Sequence, residues 1–524
     1  MYRRTTIILL VVALGSCGSV AKSQEQIDSI QAPFSLLHFS RPTIPERSFN
    51  IRDFGAVEGG VVKITKAIDR AIHAAAVSGG GRVIVPEGSW LTGAIHFEDR
   101  IELHLEKGAE LLFSQDPADY LPVVFSRHED TECYKYSSFL YANGKHDIAV
   151  TGEGVLNGQG KPWWQWKTTR QSVEARLVEM GNSGVPVTGR VFDGTDGNGL
   201  RPAFFQPMRC TNVLVEGVTF LYGAFWTITP TYCENVIIRH VRIETEGDYG
   251  HVPNGDGIDP SSSRNVLIEY CDFATGDDCI AIKSGRDVDG RRVGRPTENV
   301  VIRHCRGRQG HGGIVIGSET AGGIRNIFAY DCHFSGTDRM VRIKTQRGRG
   351  GAVENMWFRD ITGDRIGLEA IHVNMLYSGE RLPVQPVTEA TPIVRKLHFS
   401  NITEESGSGY AVEIRGIPEM PVRELTFDSL SMQADRGLNI IDATDLLFSH
   451  TSVTPRKHPV VNIAHCTDVS LTGIRVPPDI HPFLTVEGSD SRGIVLRIVK
   501  TPGIEPDIHR APETSPNAVR VIEE

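Results

Sequence analysis

One short pattern recurs along the chain: an Asn or Asp, followed by a run in which apolar and polar positions largely alternate. It reads NVLVEGVTF from Asn212, NVIIRHVRI from Asn235, NVLIEYCDF from Asn265, NVVIRHCRG from Asn299, NIFAYDCHF from Asn326 and NMWFRDITG from Asn355. Weaker copies begin at Lys396, Glu424, Asp445 and Asp468, and DIAVTGEGV from Asp147 precedes them all. Successive starts from Asn212 to Asn355 lie 23, 30, 34, 27 and 29 residues apart. Period-2 alternation in such short runs marks strands, so the repeating unit is a coil of short strands joined by turns. Stacked coils align these strands into parallel sheets, and insertions leave as loops without disturbing the phase. A β-propeller would need more even blades of about 40 residues. The pattern therefore predicts an all-β fold, a single-stranded parallel β-helix. The Asn that opens each copy reads as a turn or ladder residue, whose side chain satisfies backbone groups.

One segment breaks the period. Thr65 to Val77, TKAIDRAIHAAAV, places Ile68, Ala71, Ile72, Ala75 and Ala76 on one helical face and ends at Ser78-Gly79-Gly80-Gly81. It predicts an N-terminal helix capping the open end of the solenoid, where bare strand edges would otherwise invite edge-to-edge association. The first residues, MYRRTTIILLVVALGSCGS, join a basic start to a short apolar run and small residues, the form of an export signal. Leu14-Gly15-Ser16-Cys17 resembles a bacterial lipoprotein cleavage box, with Cys17 as the lipidated residue. The expected organisation is a signal peptide over 1–17, a linker over 18–47, the β-helix over 48–500 and a polar, Pro-rich tail over 501–524. The protein is expected to be an exported monomer, periplasmic or tied to the bacterial outer membrane through that lipid.

Composition narrows the partners. The 524 residues carry a formal charge of −9 with scattered cations, which disfavours nucleic acid. An anionic polymer could bind only through a local cluster of cations. Of nine cysteines, Cys271, Cys305 and Cys332 recur at one place in successive repeats, as buried apolar residues would, and no CxxC or Cys/His spacing suggests a metal. No cofactor is expected.

Four polar clusters stand out between Asn254 and Lys344: Asn254-Gly255-Asp256, Gly276-Asp277-Asp278, Gly310-His311-Gly312 and Arg342-Ile343-Lys344. Laying DDCIAIKS from Asp277 over HGGIVIGS from His311 matches every apolar position, so Asp277 and His311 share a phase. Laying DGI from Asp256 over DCI from Asp278 puts those two in phase as well. Neighbouring parallel strands lie about 4.8 Å apart, so three carboxylates, an imidazole and two cations should converge on one patch. Carboxyls that close drive each other's pKa values apart, leaving one as acid and others as base, as glycoside hydrolysis requires. An inverting reaction calls for acid and base carboxyls about 6.5–9.5 Å apart. Arg342 and Lys344 alternate around Ile343, so both should face outward and supply the local positive charge.

In this order the clusters resemble the signature of the polygalacturonases, glycoside hydrolase family 28. The resemblance runs from FNIRDFGAVEGG near Phe49 through TGEGVLNGQGKPWW near Thr151 to RGRGGAVENM near Arg347. It implies a right-handed parallel β-helix and inverting hydrolysis of α-1,4-galacturonosyl linkages in pectin or oligogalacturonides. By the resemblance Asp277 donates the proton, Asp256 and Asp278 activate water, and His311 supports the acid. Arg342 and Lys344 would bind the substrate carboxylate, while Asn254 orients a neighbour. Gly255 departs from the Thr or Ser of many members without removing a proposed catalytic group. Lys161 to Arg209 forms a long insertion that resembles exo-acting members and would wall off one end of the cleft. Trp163, Trp164 and Trp166 offer either sugar stacking or packing, and Arg286, Arg291 and Arg292 either outer subsites or solvated charge. The rival functions are a rhamnogalacturonan or decorated-pectin galacturonidase, a calcium-dependent pectate lyase, and a non-catalytic carbohydrate-binding β-helix.

Overall fold

The computed structural model describes residues 27–377, 379–474, 481–498 and 506–523; the expected signal peptide, 1–17 with Cys17, lies outside them. The chain forms a right-handed parallel β-helix. One parallel sheet of 24 strands contains the repeated motif strands, among them Thr211–Glu216, Glu234–Arg239, Arg264–Glu269 and Thr297–Arg303. Their register pairs Val213 with Val236, Val236 with Val266 and Val266 with Val300, so equivalent positions of the repeat stack. A second parallel sheet carries one short strand from each coil, in the order Ile280–Ile282, Ile314–Ile316, Val341–Lys344, Ile371–Asn374 and Tyr410–Arg415. Isolated parallel bridges Phe205 to Ile228, Ile228 to Ile258 and Ile258 to Ile280 extend it toward the N-terminus. We call it the cleft sheet.

Every repeat start adopts a left-handed backbone, with φ between 54° at Asp147 and 59° at Asn326 and Glu424. Asn tolerates this conformation better than other L residues and also bridges coils. Asn299 Nδ2 donates to Asn265 Oδ1 at 3.0 Å, and Asn326 Nδ2 to Asn299 Oδ1 at 3.1 Å. Inside the coils like packs on like. Phe358, Phe399, Phe427 and Phe448 stack with ring centroids 5.0, 4.8 and 4.3 Å apart, and Cys271, Cys305 and Cys332 are buried free thiols. The helix Thr65–Val77 forms as expected and buries Ala67, Ile68, Ala71, Ile72 and Ala75 against the first coils.

Two boundaries differ from expectation. Residues 27–47 are not a free linker: Ile30, Leu37 and Phe39 pack on Leu214, Ile237, Leu267, Val301 and Phe328, along the outer face of the large sheet. Arg41 pairs with Glu216, and the backbone N–H groups of Ser40 and Thr43 donate to Asn235 and Asp147. Nor is the C-terminal stretch a tail in its described part. Ile508–Arg510 joins the cleft sheet beside Leu484–Glu487, and Val519–Glu523 joins the large sheet beside Ile494–Ile498, completing a last coil. Proline and polar residues hid those two strands.

Candidate active site

The register of the cleft sheet assembles the polar clusters. Ile280 pairs with Ile314, an offset of 34 residues that carries Asp277 to His311, and Ile258 bridges to Ile280, an offset of 22 that carries Asp256 to Asp278. One carboxylate oxygen from each of Asp256, Asp277 and Asp278 lies within 4.8 Å of the others. His311 Nδ1 is 3.2 Å from Asp277 Oδ1. Ile343 faces the core, which turns Arg342 and Lys344 outward. Lys344 Nζ donates to Asp278 Oδ2 at 2.7 Å, whereas Arg342 carries a buried Nε without a hydrogen-bond partner and lies 5.9 Å from the Tyr377 ring. Lys344 is thus committed to Asp278, whereas Arg342 makes no ion pair among the described residues. Asp256 and Asp278 form the floor; the side chains of Asp277 and His311 are 20% and 51% exposed and form the accessible rim.

One correction concerns the carboxylates. Their nearest oxygens fall well short of the expected gap of about 6.5–9.5 Å, because residues in phase on adjacent coils inherit the strand spacing. Separation alone therefore gives no support to inversion. The surroundings also bias where the protons sit. Burial, reinforced by Asp277, pushes the Asp256 carboxyl well above the ordinary range. Burial opposes ionisation of Asp277 too, but the His311 hydrogen bond and the charges of Lys344 and Lys283 outweigh it and hold its pKa down. Donating a hydrogen bond to Asp277 in turn raises the His311 pKa, which favours the imidazolium beside the carboxylate.

Several groups at the site were missed. Lys283 is buried with its Nζ 3.5 Å from both Asp256 Oδ2 and Glu319 Oε2, and it lies over the Trp226 ring at 4.4 Å. Burial opposes its charge, and Asp256, Asp259 and Glu319 more than restore it. Glu319 is held down to about 2, against burial, by Lys283 and Arg349. Asp259 is fully buried, neither oxygen has a hydrogen-bond partner among the described residues, and burial with Asp256 nearby raises its pKa. The alignment could have found Lys283: it occupies the row of Gly317 and Lys344 in successive coils.

The insertion folds into short helical turns and the helix Gln171–Asn182, and it reaches the site through one arginine. Arg201 Nη2 donates to Asn254 Oδ1 at 2.8 Å, Nη1 donates to Pro253 O at 2.6 Å, and Glu174 lies 3.4 Å away. Asn254, itself at φ 54°, is thereby fixed two residues before Asp256. Trp163 and Trp166 are core residues, whereas Trp164 is partly exposed and ties its Nε1–H to Gly223 O. Arg286 pairs with Glu129 and Arg292 with Glu132 and Asp289, while Arg291 donates to the carbonyls of Gly348 and Arg349. All three have protein partners, so the open reading of free outer-subsite cations loses support.

A parallel β-helix whose cleft sheet gathers three carboxylates, an imidazole and two buried lysines defines a polysaccharide-cleaving class of enzyme. The profile of glycosyl hydrolases family 28 matches residues 190–452. The exopolygalacturonase of Thermotoga maritima is 39% identical, with 79% of this chain and 90% of that one covered at a TM-score of 0.70. A probable polygalacturonase of Vitis vinifera is 27% identical over 445 residues, 81% of this chain and 80% of that protein. The exo-poly-alpha-D-galacturonosidase of Dickeya chrysanthemi is 26% identical over 441 residues, 78% and 71%. This chain belongs to glycosyl hydrolases family 28 and is a glycoside hydrolase.

Proposed function

We propose that the protein hydrolyses α-1,4-galacturonosyl linkages of pectin from the chain end, with inversion. The observation that carries the reading is the convergence of Asp256, Asp277 and Asp278 within 4.8 Å, beside a free Arg342 and the exposed His311. Asp277 and His311 act as a unit. The proton held on His311 passes through Asp277 Oδ1 to the glycosidic oxygen, so the pair is a general acid although Asp277 alone is ionised in the free site. Lys344 keeps a charge partner beside Asp278, whose Oδ1, like Asp256 Oδ1, accepts no hydrogen bond among the described residues. These two unpartnered oxygens suit one attacking water, with Asp278 as base and Asp256 as its orienting partner. Arg342 meets the galacturonate carboxylate with a planar fork.

The end-acting mode is supported by the 39% identical exopolygalacturonase and by the insertion that reaches Asn254 through Arg201. Export and lipidation at Cys17, with the protein acting as a monomer, belong to the same proposal. The test is product analysis on polygalacturonic acid in EDTA, comparing the wild type with Asp277→Asn. Monogalacturonate alone, lost in the variant, is the expected result. Mixed oligomers would remove the exo assignment, unsaturated products would indicate a lyase, and no cleavage of this polymer would redirect the assay to rhamnogalacturonan fragments.

A further inference from the structure

A cavity of about 430 Å³ lies outside the site, at the corner where strands of the cleft sheet turn into the large sheet. Its lining comes from four successive turns, around Cys210, Tyr232, Arg264 and Pro296. Two of its carboxylates are neutralised. Glu234 pairs with Arg264 at 2.6 Å and Glu298 with Arg325 at 2.6 Å. Arg209 and Arg295 are different: among the described residues neither guanidinium has an ion pair or a side-chain hydrogen bond.

Both guanidinia nevertheless lie against aromatic rings, Arg209 the more closely. Arg209 lies 4.2 Å from the Phe125 centroid, and Arg295 lies 5.6 Å from that of Tyr232, a ring that Arg127 covers at 4.4 Å. A guanidinium stacked on a ring loses little freedom when it binds an anion, and its N–H edges stay available for a bidentate carboxylate. Such a pair on a chain of net charge −9 is a local reversal of sign. Phe125 belongs to the hairpin Val124–His128 and Thr131–Lys135. The turn of that hairpin carries Asp130, which accepts the Gly285 N–H, and Glu129, which pairs with Arg286. Through this hairpin the wall of the cavity is tied to the loop that follows Lys283, and we call this corner the shoulder.

We propose that Arg209 and Arg295 form a second, non-catalytic binding site for a uronate residue of the polymeric substrate. The identity of the anion rests on the galacturonan reading above; the existence of the site does not. The site would hold the carboxylated chain at the shoulder, raising affinity for polymer over short oligomers through effective concentration rather than new chemistry.

The experiment compares wild type, Arg209→Gln/Arg295→Gln and Arg209→Lys/Arg295→Lys. It measures kcat and KM on polygalacturonate and on trigalacturonate, and equilibrium binding of the polymer in the Asp277→Asn background. With Gln at both positions, KM and Kd for the polymer should rise about three- to tenfold, with trigalacturonate kinetics and melting temperature unchanged. Lysine should recover part of the loss, since it keeps the charge but not the fork. Unchanged polymer KM and Kd in the Gln variant overturn the site, as does an equal loss on trimer and polymer. If wild type cleaves neither substrate, binding of inorganic phosphate and of the polymer to the Asp277→Asn background still decides: loss of both with Gln sustains an anion site, and no loss removes it.

Discussion

The His311 and Asp277 pair makes a pH prediction at the scale of single residues. The hydrogen bond that His311 donates to Asp277 raises the His311 pKa, so the imidazolium persists above the ordinary histidine value of about 6.5. A raised folded-state value means that its contribution is complete below the unfolded pKa and is lost as pH rises through the folded one. If the imidazolium supplies the proton, kcat/KM should fall on the alkaline side of about 6.5. His311→Asn should lower kcat/KM by about 10²- to 10⁴-fold and remove that limb. A variant that keeps the same alkaline limb would assign it to another group and end the acid role of the pair. The placement of Asp277 beside His311 was legible because phase is a property of apolar spacing, which sequence shows directly. The proton distribution was not, because it depends on Lys283 and Lys344, whose charges meet the carboxylates only across coils.

Among the elements, the Asn ladder tests how one position holds a solenoid together. Asn299 accepts a hydrogen bond from Asn326, donates one to Asn265 and stands at φ 58°. Alanine loses both side-chain bonds and meets the left-handed penalty; glycine loses the bonds but not the conformation. Asn299→Ala should cost on the order of 2–4 kcal/mol and Asn299→Gly roughly half as much, giving the melting order Asn, Gly, Ala. Equal melting temperatures for the two variants would show that the backbone conformation carries no cost there. Each repeat start named from the pattern proved to be such a position, Lys396 and Glu424 included, because the repeat marks the turn by phase even where the residue changes. The helix Thr65–Val77 was equally plain, since its 3.6 period contrasts with the period-2 surroundings.

The whole molecule was least legible where one part covers another. In NVLV, NVII, NVLI, NVVI and NIFA the middle positions Leu214, Ile237, Leu267, Val301 and Phe328 break strict alternation: they point away from the coil interior and yet are buried. Strands apolar on both faces signal a covered sheet. From Asn355 onward the same position becomes Trp357, then His398 and Thr426, and Phe34 meets Trp357 with ring centroids 5.8 Å apart, at the far end of the contact. Residues 27–47 are therefore an axial strap laid across the coils, on a sheet other than the one that carries the site. Its own apolar residues are too sparse to show a period, so only the broken alternation of its partners announced it. A chain beginning at residue 44 should bare that stripe. With five apolar side chains at about 1.5–3 kcal/mol for complete burial, discounted for partial burial, the loss is on the order of 5 kcal/mol. The truncated protein should melt about 5–10 °C lower, self-associate and bind a hydrophobic dye, while keeping kcat on trigalacturonate, because the cleft sheet is untouched. Unchanged melting would show that the strap rests on the coils without stabilising them, and a parallel loss of kcat would mean that the outer sheet and the cleft are coupled through the coil interior.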